Sequence, residues 1–178
     1  LLSTMFGPVV GGLYLLCDRA LNYPLQLVSQ SVSQVLLARG REGLDRKAFE
    51  RSVERVSLVL VALMVLPAIL LFTLGEPLFT LVFGGRWADA GRFAGLIVFG
   101  AAARMIFASI LPALIATGGQ KVNLVINAIL LLAKTAALFL GFSFQSPLLA
   151  IGGVSLVEFA GCVAGSLVAI SRLRVTAR

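Results

Sequence analysis

Apolar and polar positions along the chain sort into five long apolar runs, at 9–38, 56–75, 93–117, 122–144 and 147–171. A helix crosses a bilayer with roughly 20 residues. The pattern therefore predicts an all-α fold, a polytopic membrane helix bundle with five transmembrane helices in one membrane domain over 1–178. The run from Val56 to Gly75 is free of charge, whereas the others carry Asp18 with Arg19, Arg104, Lys134 and Glu158 in their interiors.

The first run is the most two-sided. At about 100° per residue, Asp18, Arg19, Asn22, Gln26, Ser29, Gln30, Ser33 and Gln34 fall in one half of the helix. Cys17, Ala20, Leu21, Pro24, Leu25, Val28, Val32 and Val35 fall in the other. One half suits lipid or a packed neighbour, and the other suits water, a partner or a ligand.

The connections are also legible. Gly7-Pro8 and Gly11-Gly12 open the first span, and the stretch 39–55 forms a charged hairpin. Within it Leu44, Phe49, Val53 and Val56 keep a helical spacing, which predicts a short amphipathic helix running directly into the second span. EPLFTLVFGGRWADAG is too short to span, and its Trp87 suggests an interfacial element with the indole at headgroup level. Tight turns are expected at Gly118 to Lys121 and at Ser143 to Pro147.

Composition agrees with membrane residence: 59% of residues are hydrophobic and 13% charged, with a mean hydropathy of +1.01. The net charge of +7 would suggest nucleic acid in a soluble protein, but membrane proteins gather Lys and Arg in cytoplasmic loops, so no nucleic-acid partner is expected. Ten of the 15 basic residues lie in the hairpin, at Lys121 or in the tail, against only Arg86 and Arg92 at the other side. That bias places the hairpin and the C-terminus in the cytoplasm. An odd number of spans then puts the N-terminus outside, and without a signal-peptide pattern at Leu1 a preceding span is expected. Cys17 and Cys162 stand apart from any CxxC or Cys/His pattern, so no metal or cofactor is expected.

Charges inside a membrane cost about 2.5–3.5 kcal/mol on insertion scales and normally face the bundle interior. Arg19, Arg104 and Lys134 are substrate-path candidates: converging on one cavity, they would suit an anionic group such as a phosphate. Asn22, Gln26 and Gln30 on the first span and Asn127, in a stripe with Asn123 and Lys134, join them. Asp18 and Glu158 are coupling or structural acids; Asp18 diverges from Arg19 by about 100°, and Glu158 shares a face with the close-packing pair Gly161 and Gly165. Pro24, Pro67 and Pro112 sit inside spans. Each is either static curvature or a bend about which a helix moves, with Pro24 and Pro112 the hinge candidates.

FGPVVGGLYLLCDRALNYPLQLVSQSVSQVLLARGREG, the basic hairpin, LFTLVFGGRWADAGRF and LPALIATGGQKVNLVINAIL together resemble the second half of bacterial polysaccharide flippases. These are the O-antigen and exopolysaccharide translocases of the multidrug/oligosaccharidyl-lipid/polysaccharide exporter superfamily. The likeness rests on Gly12 and Tyr14, Pro24, Phe83-Gly84 through Trp87, and Gly119 to Lys121, in that order. It implies an incomplete second lobe of a two-lobe transporter fold in the bacterial inner membrane, whose N-terminal lobe belongs to a longer parent chain. It further implies alternating access around a cationic cavity that receives an undecaprenyl-pyrophosphate-linked oligosaccharide, with membrane lipid around it.

Two other readings stay open: an ion-coupled multidrug exporter of the same superfamily, and a non-transporting scaffold subunit. Organic cations call for intramembrane acids, and cations predominate here. The chain has no histidine, GxSxG, DxD, paired metal-binding acids or Walker A motif, so an enzyme is not expected.

Overall fold

The computed structural model describes residues 2–41, 46–116 and 118–176. Six helices follow in order: α1 (Leu2–Phe6), α2 (Pro8–Arg41), α3 (Arg46–Phe83), α4 (Ala88–Ala116), α5 (Gln120–Ser143) and α6 (Pro147–Thr176), with a 3-10 turn at Gly85–Trp87 between α3 and α4. The breaks have local causes. Pro8 and Pro147 begin helices where a missing N–H costs nothing. Gly84 (φ +90) and Gly118 (φ +73) take left-handed conformations that close α3 and α4.

Among the described residues, four helices are long and apolar enough to cross a membrane: those at Lys47–Phe83, Gly85–Pro112, Gln120–Ser143 and Pro147–Leu173. α2, the first span of the sequence reading, has the length at 34 residues, but its polar stripe keeps it below the apolarity of the others. One expectation is corrected at the α3 end. Glu76 to Phe83 is no separate interfacial element: it continues α3 through Pro77, because the run LFTLVF is itself a good apolar helix. Trp87 is half-buried and packs on a core cluster with Phe79, Phe93 and Leu96. The amphipathic start of α3 runs unbroken into the span, with Val53 fully buried and Phe49 and Val56 packed beside it. Leu44 lies outside the described residues.

α4 is the central helix. Of its apolar span 67% is buried, against 11% in α3 and in α5, because it packs against α2, α3 and α6 at once while α5 rests on the outer side of α6. The sequence permits this: α4 is apolar on all sides, and its small residues let backbones approach. Gly91 faces Gly75 of α3, Gly95 faces Leu71, and Gly100 faces Ser155 of α6. Gly161 and Gly165 serve two different neighbours, Leu130 of α5 and Phe107 of α4. Two buried clusters cap the bundle. Leu36, Val53, Leu114 and Leu173 close one end, which gathers the hairpin, the α4–α5 turn and the C-terminal end of α6; Cys17, Ala90, Phe93 and Ile151 close the other. Outer faces carry large exposed apolar side chains such as Leu58, Leu66, Leu124, Leu131 and Leu132, the surface a bilayer covers.

Ser155 ties α6 to the backbone of α4. Its hydroxyl donates to the Leu96 carbonyl at 2.5 Å and accepts from the Gly100 N–H at 3.2 Å. Those two groups are the i and i+4 partners of an α-helix, so the hydroxyl sits within the hydrogen-bond ladder. Ser155→Ala lets them bond to each other, and the expected loss in thermal stability is small, about 1 kcal/mol or less. A large drop in the melting midpoint would show instead that the two groups stay apart.

Candidate functional site

The middle turns of three helices bring charges together. On α4, Arg104 projects from a face whose neighbours Gly100, Ala101 and Ala108 are small, leaving room for a guanidinium. On α6, Glu158 is buried at 6% exposure. Its Oε2 accepts from Arg104 Nη2 at 2.6 Å, and its Oε1 lies 2.8 Å from Lys134 Nζ on α5. A carboxylate with both oxygens on cations is the arrangement a low-dielectric interior demands. Two cations and one anion leave the triad with a net charge of +1.

Arg104 belongs to two environments. Its side chain is 42% exposed and lines a groove of about 260 Å³ between α2 and α4 with Asn22, Gln26 and Ser29, over a floor that includes Leu25, Ala101 and Met105. Its Nε is buried and, among the described residues, has no hydrogen-bond acceptor. The groove therefore offers amide, hydroxyl and guanidinium groups beside an apolar wall.

The remaining sequence candidates fall in several places. Asp18 accepts from Asn22 Nδ2 at 2.7 Å, so it holds a groove residue in place on its own helix. Arg19 is exposed on α2 and stands outside the groove and the triad, so two of the three cations, Arg104 and Lys134, come together on Glu158 and the third does not: the helical rotation from Asp18 carries it away from α4. Gln30 is exposed outside the groove, and Asn127 is exposed and bonded to Asn123 through its Nδ2. Pro24 is exposed within α2, Pro112 half-buried within α4.

The split of α2 into one polar and one apolar half is likewise corrected. Cys17, Leu21, Leu25 and Val32 pack inward together with Asp18, Asn22, Ser29 and Ser33, while Ala20, Pro24, Val28 and Val35 face out. One polar-half residue that was not among the substrate-path candidates also belongs here. Ser29 completes the groove wall; its spacing of three from Gln26 and seven from Asn22 was the available signal.

A larger groove of about 440 Å³ runs between α3, α4 and α6, lined by residues such as Met64, Phe99, Ile106, Phe159 and Leu167. The hydroxyls on its wall, Ser57 and Ser166, bond to carbonyls of their own helices. Its lining is otherwise apolar. Among the described residues no cluster of His, Cys, Asp or Glu is placed to hold a metal ion.

A family described as polysaccharide biosynthesis protein matches residues 1–92. The match takes in α1, α2, α3 and the first turn of α4, and so the groove residues Asn22, Gln26 and Ser29 but not Arg104, Lys134 or Glu158. No curated protein and no solved structure is detectably similar to the chain. Matched over more than half of its length, this multi-pass helical membrane protein belongs to the polysaccharide biosynthesis protein family.

Proposed function

We propose that the protein works as a carrier, and not as an enzyme, in moving an undecaprenyl-pyrophosphate-linked oligosaccharide across the bacterial inner membrane by alternating access, with its C-terminus in the cytoplasm. The observation that carries this reading is the polar groove with Arg104 in its wall. Arg104, Lys134 and Glu158 lie near the middle of α4, α5 and α6, the depth at which transporters place their substrate and coupling sites. A guanidinium suits phosphate oxygens because its planar donors match them, and the amides of Asn22 and Gln26 suit sugar hydroxyls. The exposed apolar faces would accommodate the lipid chain.

The ion-coupled drug exporter receives less support. An organic cation needs an available acid; Glu158 has both oxygens engaged by cations, and Asp18 accepts from Asn22. For a scaffold subunit the groove would have to be filled by another helix.

The test is transport by the full chain in vesicles loaded with an undecaprenyl-pyrophosphate-linked oligosaccharide, read as glycan exposed to a membrane-impermeant glycosidase. Arg104→Ala is expected to lower the translocation rate by about a hundredfold, since losing a charge-assisted hydrogen bond costs about 1.5–3 kcal/mol. Unchanged translocation by a correctly inserted Arg104→Ala protein would remove Arg104, and the groove with it, from the pathway.

A further inference from the structure

We infer that Glu158 is an internal counter-anion that an anion entering the groove displaces from Arg104, and that Lys134 retains Glu158 when this happens. The inference rests on the reading of the groove as the place where an anionic head group is received. It adds how that reception is felt by the rest of the bundle.

The geometry is asymmetric in a useful way. Glu158 holds Arg104 through one oxygen and Lys134 through the other, so losing Arg104 does not leave it an unpaired carboxylate in a low-dielectric site. Arg104 in turn lines the groove with 42% of its side chain exposed and is held by Glu158 through Nη2. An anion there meets the exposed part of the guanidinium and competes with Glu158 for it. Lys134 is not on the groove wall; it acts on the anion only by competing with Arg104 for Glu158. It is therefore a positioning residue.

The exchange also has a mechanical consequence. Among the described residues the ion pair between Arg104 and Glu158 joins α4 to α6, whereas the pair between Lys134 and Glu158 joins α5 to α6. Seating an anion at Arg104 removes this one charged link between α6 and the central helix, with the Ser155 bonds and the packing kept, while α5 and α6 stay tied to each other through Lys134. A ligand shifts a conformational equilibrium only through differential interactions with its states, and this exchange supplies one.

The experiment is binding of inorganic pyrophosphate to the detergent-solubilised full chain, followed by calorimetry, with thermal melting to score folding of each variant. Glu158→Gln is expected to bind about tenfold more tightly than the unmodified protein, a typical coupling magnitude. Glu158→Asp keeps the charge but is one methylene too short to hold both cations, and it too is expected to bind more tightly. Lys134→Gln is expected to bind more weakly, because Glu158 then has only Arg104. The double variant Lys134→Gln/Glu158→Gln is expected to match Glu158→Gln, since Lys134 has no further route to the groove. A general field effect predicts instead that the double variant returns to the starting affinity and that Glu158→Asp changes nothing. Either result, or no binding by any variant, overturns the inference. Glycan translocation, measured separately in vesicles, reports on the transport reading: the expected order of pyrophosphate affinities without any translocation would leave the exchange standing and sink the transport proposal alone.

Discussion

Truncating Glu158 to alanine is expected to destabilise the bundle by about 3 kcal/mol, the low end of the cost of taking one partner from a buried ion pair. The carboxylate is buried, and its loss leaves Arg104 and Lys134 facing one another across the junction of α4, α5 and α6 with no anion between them. The low end applies because the two cations keep 42% and 28% of their side-chain surface exposed and can turn partly toward other surroundings. Thermal melting of the solubilised full chain measures the loss. Glu158→Gln, which keeps the shape and one carbonyl acceptor, loses less than Glu158→Ala. Coincident melting of Glu158→Ala and the unmodified protein would show that the cations do not depend on this acid.

Gly91→Ala is expected to cost about 3 kcal/mol, the upper range for overpacking, although it adds a single methyl group. An ideal Cβ there would lie 2.7 Å from the Glu76 Cα and within contact of the Gly75 carbonyl. Those atoms are helix backbone and cannot step aside, so α3 and α4 must separate along the Gly75, Gly91 and Gly95 contact. Gly12→Ala is the control: the same change meets nothing within 4 Å, and alanine's better helix propensity makes it neutral or stabilising by up to about 1 kcal/mol. Equal melting of Gly91→Ala and Gly12→Ala would mean that α3 and α4 are not in close contact.

Together the two variants separate what holds the bundle from what the groove uses. The α3–α4 seam is made of absent side chains, on turns of α4 that precede the one carrying Arg104. The charged junction is made of groups whose cost in the membrane is offset only by one another. A protein with an intact seam and a broken junction remains a bundle with an altered groove, which is why Glu158 variants are informative about mechanism and Gly91 variants about assembly.

The helices were legible because uninterrupted apolar runs and Gly/Pro breaks are local signals. The start of α3 is a clear case: the spacing of Phe49, Val53 and Val56 announced both the helix and the face it buries. The same local logic misjudged Glu76 to Phe83, since a proline reads as a break while a membrane helix accommodates it. It also misjudged α2. Hydropathy sorts side chains by polarity, but packing sorts them by what lies opposite, so Asp18, Asn22 and Ser29 turn inward while Val35 and Leu27 turn out.

The sequence by itself determined the class of the protein, its helical spans, the breaks between them, the gathering of basic residues at one end of the bundle and the short list of intramembrane charges. Each follows from properties of neighbouring residues: bilayer-length apolar runs, positive φ at glycine, the cost of a charge in lipid. Only the tertiary structure decided which charges meet. Arg104 and Glu158 are 54 residues apart, and helical spacing alone does not show that Arg104 is paired while Arg19 faces out. The difference lies in the rotation and crossing of helices around α4, set by small-residue contacts such as Gly91 with Gly75 and Gly165 with Phe107, and helix rotation depends on every neighbour at once.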